Sequence, residues 1–529
     1  MILLIMLNQL QKKNKVIHKN NLILVELNGW QPFHVASLYL LKALVDKYKC
    51  KIIGYDNFEL LNYKKRNFFE NLKWFLGSKF GLKTFDIYKS IGVNSFLKIK
   101  KKESKNINRI ISIEICKIQN LKELEKYKFR NILIGDLIYD SYLKKYLLPT
   151  IDIKSIQFRI YFAEFIKNFI YWLEYFNKKK IKAVIASHGV YSLAIPLRIA
   201  QKKKINSYVL NEEKIYNLKY IPIKKYVSPT SLFQETEFYK KIFNTKNSIE
   251  KKNILKVGKK ILIKRMKENF TYSYIRKKNK KLSKNEKKIH PNKTGVLIAA
   301  HSFFDSPHVY GRNFFPDFFV WLDFLTKLSK YTNYQWYIKA HPNKFDLTDK
   351  VIKQLLKKNK HIKILPDYYD LKKIRQMNIQ AILTVYGSIA KEAYLYNIVP
   401  INASNSNPYR NFSFALTPKN IEDFKNKINN LLKAKREFFS KKRANICLKD
   451  LYIYYYMDTE YFNKNYLFEN FENYIFSKKS RMGIFKDKFY FDCIYGVHKL
   501  NYSSIIKRLS NFINSKDYVL SRKHVIDAR

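Results

Sequence analysis

Three observations predict an α/β fold in two parts. Apolar runs of strand length alternate with helical patterns from Asn21 onward. The same alternation restarts at Gly295. Between the two lies a Lys-dense stretch poor in apolar residues, Arg276 to Asn292. Each half is expected to be a Rossmann-like domain, an open parallel sheet covered by helices. Two such domains are expected to face a common cleft, followed by a helical C-terminal extension. The expected boundaries are an N-terminal extension at 1–20, a first domain at 21–275, a linker at 276–292, a second domain at 293–435 and the extension at 436–529. The 529 residues are ample for two large cores.

In the first half, Asn21 to Leu27 reads as a strand, Asn28 to His34 as its loop, Val35 to Tyr48 as an amphipathic helix and Cys50 to Tyr55 as a second strand. No G-x-G-x-x-G follows the first strand, so a Rossmann NAD site is not indicated. His34, at that strand's carboxyl end, is a candidate general base or a plain loop histidine. Asn131 to Ile134 is a short strand running into Asp136 and Asp140, which are candidates as bases or as caps. Ser155 to Asn177 is a long aromatic helix whose charges exclude a membrane span. Ile181 to Ala186 is another strand, with Ser187-His188-Gly189 at its tip, then a helix from Tyr191 to Gln201 and a strand from Ile205 to Leu210. His188 is thus placed like His34. A helix N-terminus beside it would keep the imidazole neutral and able to accept a proton. Ile254 to Tyr274 is expected to be helical.

The second half opens on the strand Gly295 to Ala300. The loop from His301 to Arg312 also holds Asp305 and His308, and its place after the first strand turns it toward the expected cleft. Hydrogen bonding to a ligand suits this loop better than metal binding, because the chain contains no Asp-x-Asp. Phe314 to Leu328 is an aromatic-faced helix. From Tyr334 to Ser404 strands and helices alternate around two marked turns. The first, Lys339-Ala340-His341-Pro342, follows the strand Gln335 to Ile338. The second, Tyr386-Gly387-Ser388, follows the strand Ala381 to Val385 and precedes a helix to Tyr396, with Asn397 at its C-cap.

Ligands of open parallel sheets bind beyond the carboxyl ends of the strands, where both turns fall. Gly387 allows close backbone approach. Ser388 reads as an N-cap, and the first turn's N–H groups suit a phosphate. Lys339 and His341 add charge or donors to the same anion. Glu392 shares a helix face with Ser388 and is a candidate partner for ribose hydroxyls, or alternatively a member of a core ion pair. Further on, Pro418 to Lys433 is expected to be a helix capped near Thr417. The aromatic and basic mix from Lys478 to Lys523 suits either core packing or an anionic membrane surface.

Lys339-x-His341-Pro342, then Gly387-Ser388-x-x-x-Glu392-Ala393 and the Val399-Pro400-Ile401 strand, resemble the C-terminal domain of bacterial surface-polysaccharide transferases. These are GT-B glycosyltransferases of capsule and lipopolysaccharide synthesis. Similar motifs occur in Kdo transferases, polysialyltransferases and CDP-glycerol phosphotransferases. His301 to His308 and Phe315 to Leu322 add to the likeness, as do Gly29 to His34, Ile134 to Asp140 and Ser187 to Gly189. The resemblance implies that His341 and Ser388 hold a donor nucleotide, CMP- or CDP-linked by the His-Pro motif. It further implies a metal-independent enzyme without a resident cofactor, acting on a nucleotide-activated sugar and a glycan or lipid-linked acceptor. An epimerase of nucleotide sugars is the rival within the same fold.

Composition leaves a third reading open. Lys and Arg number 102 against 42 Asp and Glu, a formal net charge of +60. Anionic nucleotides and glycans, an anionic membrane surface or nucleic acid would each fit such a charge. A Lys-, Asn- and Ile-rich composition inflates it without any ligand, and no nucleic-acid motif is present. Four scattered cysteines form no C-x-x-C pair and favour a reducing cytoplasm. Met1 to Leu7 is a poor signal peptide, and no apolar run approaches the ~18 residues of a span. The expected location is cytoplasmic, with peripheral attachment at the inner face of the plasma membrane as a further candidate.

Overall fold

The computed structural model describes residues 21–28, 31–61, 68–80, 92–99, 103–210, 214–221, 235–267, 293–341, 346–366, 369–462 and 505–526, with isolated positions at 85 and 88–89. The N-terminal extension, Gly29, Trp30, Pro342 and the expected linker lie outside these residues. Contacts divide the chain into two compact units. Unit 1 comprises Met1–Lys145, Asp152–Pro222 and Thr459–Arg529; unit 2 comprises Tyr146–Ile151 and Ile223–Asp458. Both are α/β, each built on a sheet that is wholly or mainly parallel.

The sheet of unit 1 contains β1 (Asn21–Glu26), β2 (Lys51–Tyr55), β3 (Val93–Leu97), β6 (Lys180–Ala186), β7 (Asn206–Leu210) and β8 (Ile215–Asn217), in the order β3-β2-β1-β6-β7-β8; β4 (Lys128–Phe129) and β5 (Ile132–Leu133) form a separate hairpin. Only β8 runs antiparallel to its neighbour in the main sheet. Leu22 to Val25 are all buried, as a strand covered on both faces requires. The first helix, α1 (Gln31–Tyr48), starts earlier than expected. Pro32 falls in its first turn, where a missing N–H costs no helical bond. His34 therefore sits in a helix rather than a loop, and its side chain lies outside the described residues.

Two further helices carry the core. In α2 (Gly135–Tyr146), Asp136 is buried and gripped by Arg198, with Nη1–Oδ1 at 3.1 Å and Nη2–Oδ2 at 2.6 Å. Arg198 also donates to the Leu133 carbonyl at 2.7 Å. This bidentate pair engages both carboxylate oxygens of Asp136, a candidate base or cap from the sequence; Asp140 is buried as well. The long helix α3 (Ile156–Lys178) is capped by Ser155, whose hydroxyl accepts the Phe158 N–H. Its buried stripe, Phe158, Phe162, Phe165, Phe169, Trp172 and Phe176, repeats at helical spacing. Trp172 meets Tyr55 edge-on at 5.1 Å. Arg198 belongs to the short α4 (Ile195–Lys202).

In unit 2, α5 (Ser248–Lys267) precedes the sheet, although the sequence reading placed that helix in the first domain. Gly258 explains the docking: a Cβ there would lie 2.1 Å from the Tyr452 carbonyl of a later helix, so the two backbones touch. The sheet is β9 (Gly295–Ala299), β10 (Gln335–Lys339), β11 (Lys363–Leu365), β12 (Ile379–Thr384) and β13 (Val399–Asn402), all parallel, in the order β11-β10-β9-β12-β13. Helices α6 (Phe318–Ser329), α7 (Asp346–Leu356), α8 (Leu371–Gln376) and α9 (Ile389–Ala393) alternate with the strands, and α10 (Lys441–Tyr456) receives α5. Asp317 caps α6 by accepting the Val320 N–H at 2.7 Å, which moves the start four residues past the expected Phe314. Asn397 adopts the left-handed conformation, φ 57°, that the predicted C-cap needs. Thr417 is not the cap of the helix at Ile421–Asn429. Asn420 takes that role, while the Thr417 hydroxyl accepts from Asn407 at 3.4 Å.

The expected C-terminal extension divides between the units. Residues 441–456 pack on unit 2, whereas Ile505, Leu509, Phe512 and Ile513 enter the same core cluster as Leu40 and Leu44 of α1. The Asn217 N–H donates to the Tyr518 carbonyl at 2.7 Å, and the Leu520 N–H to the Ile215 carbonyl at 3.0 Å, covering the outer edge of β8. Residues 463–504, which hold much of the basic aromatic stretch, lie outside the described residues. Among the described residues no helix is long and apolar enough to cross a membrane.

Breaking one side of the Asp136–Arg198 pair leaves a buried charge alone. Asp136→Ala is expected to lower the unfolding free energy by about 3–5 kcal/mol in urea titration. Asp136→Leu combined with Arg198→Met should lose clearly less.

Candidate functional site

The order of the second sheet places β9 beside β12: the chain winds outward from β9 through β10 and β11 on one side, then crosses over to β12 and β13 on the other. This is the switch point at which open parallel sheets form a crevice. A cavity of about 470 Å³ lies at these strand ends, and His301, Asp305, Lys339, His341, Gly387, Ser388 and Glu392 all line it. The five predicted donor residues thus converge on one cavity, joined by two of the four loop residues. His308 is buried and Arg312 exposed, and neither lines it.

His301 anchors the wall. Its ring stacks on Phe318 at 4.5 Å and 13°, and leans on Tyr386 at 4.9 Å. Nε2 accepts the Val385 N–H at 3.3 Å and lies 3.0 Å from Thr384 Oγ1. That pattern makes Nε2 the acceptor and leaves the proton of the neutral ring on Nδ1. Burial, with the nearby charge of His341, pulls the His301 pKa down to about 3. The ring is therefore neutral at ordinary pH.

Thr384 was not singled out from the sequence. It ends β12, accepts the Gly387 N–H at 3.0 Å and touches His301, so one hydroxyl ties the second turn to the loop after β9. A Cβ on Gly387 would sit 2.7 Å from that hydroxyl oxygen. The glycine is needed here for space. Ser388 differs from expectation: it is already in the α-helical region and makes no capping bond, and α9 has only five residues before a 3₁₀ turn. Lys339 Nζ donates to the Tyr369 carbonyl at 2.5 Å while lining the cavity, so its ammonium is anchored. Glu392 is buried on the cavity wall, while its neighbour Lys391 sets its ammonium 4.7 Å from the centre of the Tyr454 ring. Ser302, also on the wall, is buried with its hydroxyl lacking a partner among the described residues.

Unit 1 has its own switch point, between β1 and β6. There the last residue of β1, Glu26, is fully buried and accepts from the Ser187 hydroxyl at 2.7 Å, the Ser187 N–H at 3.0 Å and the Asn28 amide at 3.0 Å. Burial chiefly raises its pKa, to about 7, against the opposing pull of these hydrogen bonds; Asp56 adds to the rise. His188 Nδ1 lies 2.6 Å from Ser187 Oγ. The helix expected from Tyr191 begins only at Ile195, as α4, after a 3₁₀ turn at Ser192–Ala194. Glu26 escaped the sequence reading, although a single carboxylate closing an apolar parallel strand was the available signal.

No protein-family model matches the chain, and no curated protein matches it. Solved structures similar to it include the UDP-GlcNAc 2-epimerase of Neisseria meningitidis bound to UDP-GlcNAc, at 11% identity over 82% of this chain and 95% of that one, TM-score 0.22. Another is a glycosyltransferase of Rickettsia africae, at 10% identity over 83% and 94%, TM-score 0.25. A third is the Anabaena protein HepE in complex with UDP and glucose, at 8% identity over 82% and 94%, TM-score 0.25.

The His301 shift has a sign that can be measured. The folded state resists protonation down to about pH 3, whereas an unfolded histidine takes a proton near its usual 6.5. The stability linked to His301 is complete above pH 6.5 and is lost as pH falls toward 3. His301→Asn should flatten the decline of the thermal midpoint between pH 6.5 and 4 relative to wild type.

Proposed function

We propose that the chain is a GT-B-type, metal-independent glycosyltransferase that moves a sugar from a nucleotide-activated donor to a growing surface polysaccharide of the capsule or lipopolysaccharide kind. The observation that carries this reading is the cavity at the switch point of unit 2. Its volume falls in the range of small-molecule sites, roughly 300–1,000 Å³, and its wall combines aromatic surface with converging polar groups. In this reading Lys339 and His341 supply positive charge and donors to the departing phosphate. Gly387 permits close approach of the turn, Ser388 contributes a hydroxyl, and Glu392 takes ribose hydroxyls. The neutral His301 serves as a fixed wall rather than a charge. The acceptor is a glycan or lipid-linked sugar, and its hydroxyl proton goes to a histidine of unit 1, His188 or His34. The motif likeness favours a cytidine donor. Work at the cytoplasmic face of the membrane, through basic surface attracted to anionic lipid, fits the +60 charge.

A thermal-shift panel of CMP, CDP, UDP and GDP tests the donor site. A cytidine nucleotide at 100 times its dissociation constant should stabilise wild type by about 2.7 kcal/mol. The shift should vanish in His341→Ala and in Gly387→Ala, each with an unchanged circular dichroism spectrum. No shift from any of the four would overturn the reading. Conversion of the donor sugar without an acceptor would favour an epimerase instead, and steeply salt-dependent binding to generic DNA a nucleic-acid-binding protein.

A further inference from the structure

One helix of unit 1 turns its apolar side outward. It spans Phe68–Phe80 and packs inward through Trp74 and Gly77. Trp74 meets Phe85 edge-on at 5.7 Å, and a Cβ on Gly77 would lie 2.6 Å from the same ring. Phe85 in turn meets Phe96 of β3, the end strand of the sheet, at 4.9 Å. Phe69, Leu72 and Phe75 lie on the far side of the helical wheel, with Phe80 at its border. They are exposed by 68%, 41%, 54% and 62% in that order. Single exposed apolar residues are ordinary, but four large ones on one helix mark an interaction surface.

The charges of this face have one sign. Lys79 sits among the apolar residues, its ammonium 5.9 Å from the centre of the Phe75 ring and 5.3 Å from that of Phe80. Lys73 is exposed at the border. Lys98 donates to Asn71 Oδ1 at 2.9 Å, with its ammonium 5.8 Å from the Trp74 ring. At the carboxyl end of the helix Lys89 donates to the Lys79 carbonyl at 2.7 Å. Glu70, the one acid of the helix, shares the i, i+4, i+7 register of Trp74 and Gly77.

We propose that this face of the helix docks on an anionic lipid bilayer. The phenyl rings and Leu72 enter the layer just below the headgroups, and Lys73 and Lys79 stay level with the lipid phosphates. Phenyl rings interleaved with lysines call for a partner that is apolar and anionic at once, and such a bilayer is both. A second copy of the chain is the poorer match, because a two-fold contact through this face sets Lys73 and Lys79 against their own counterparts. The proposal rests on the membrane attachment put forward above and is independent of the transfer chemistry. The net charge of +60 attracts anionic lipid without regard to side, whereas the apolar face selects which side of unit 1 meets it.

Co-sedimentation of the full chain with vesicles of mixed phosphatidylcholine and phosphatidylglycerol tests the site, with phosphatidylcholine alone as control. Wild type should bind the mixed vesicles and leave the control unbound. Phe75→Ser with Phe80→Ser should weaken binding about ten-fold or more, with an unchanged circular dichroism spectrum. Lys73→Gln with Lys79→Gln should weaken it about 30-fold at low salt. The fluorescence that Phe75→Trp adds over wild type should be quenched by brominated acyl chains. Vesicle binding that survives the double serine change, with no quenching, would overturn the docking face and leave attraction by charge alone. A dimer in solution that the double serine change abolishes would overturn it in favour of a second copy. No vesicle binding by wild type would overturn the membrane attachment as well, and neither result bears on the nucleotide panel. If the double serine variant fails to fold, the lysine variant and Phe75→Trp still decide.

Discussion

The Thr384 hydroxyl is the contact on which the second unit's site depends. Beyond the last ladder bond of a parallel strand, the chain must find new partners for its backbone groups. Thr384 answers that need for Gly387, and the same oxygen reaches the imidazole that follows β9. Two neighbouring strand ends are thereby locked to each other. His301 is then held from the other side by Phe318, so the ring is contacted on two sides of the cavity wall. The absence of a Cβ at 387 is part of the same lock, because any larger residue would collide with the oxygen that organises it.

The two units solve the same problem with different chemistry. Each sheet has a switch point beside its first strand, and at each a side chain on one strand end bonds to a residue beyond its neighbour. In unit 2 the bond joins a hydroxyl to a neutral imidazole. In unit 1 a buried carboxylate gathers two donors from Ser187 and one from Asn28. Burial pushes the groups apart in character: it strips His301 of its proton and makes Glu26 hold one more readily.

Strand runs were the most legible part of the sequence, because a strand buried on both faces is apolar throughout and its ends are punctuated by Gly, Pro or Asn. The same held for the two turns at 339–342 and 386–388, whose cavity-lining residues converge. Local pattern misjudged the starts of α1 and α6, where Pro32 and Asp317 set the true first turn. It could not reveal partners distant in the chain. Nothing near Asp136 announces Arg198, 62 residues away, and nothing near Glu26 announces Ser187, 161 residues away. For the same reason α5 was misplaced: its helical sequence does not say which neighbour its glycine admits.

Residues 505–520 also impose an order on synthesis. They complete a core begun at β1 and α1 and cover the edge of β8. Unit 2, with every segment between residues 146 and 458, can mature on the ribosome while unit 1 waits with an open sheet margin. During that interval the nascent chain presents a strand edge of the kind that chaperones must shield from pairing with other polypeptides.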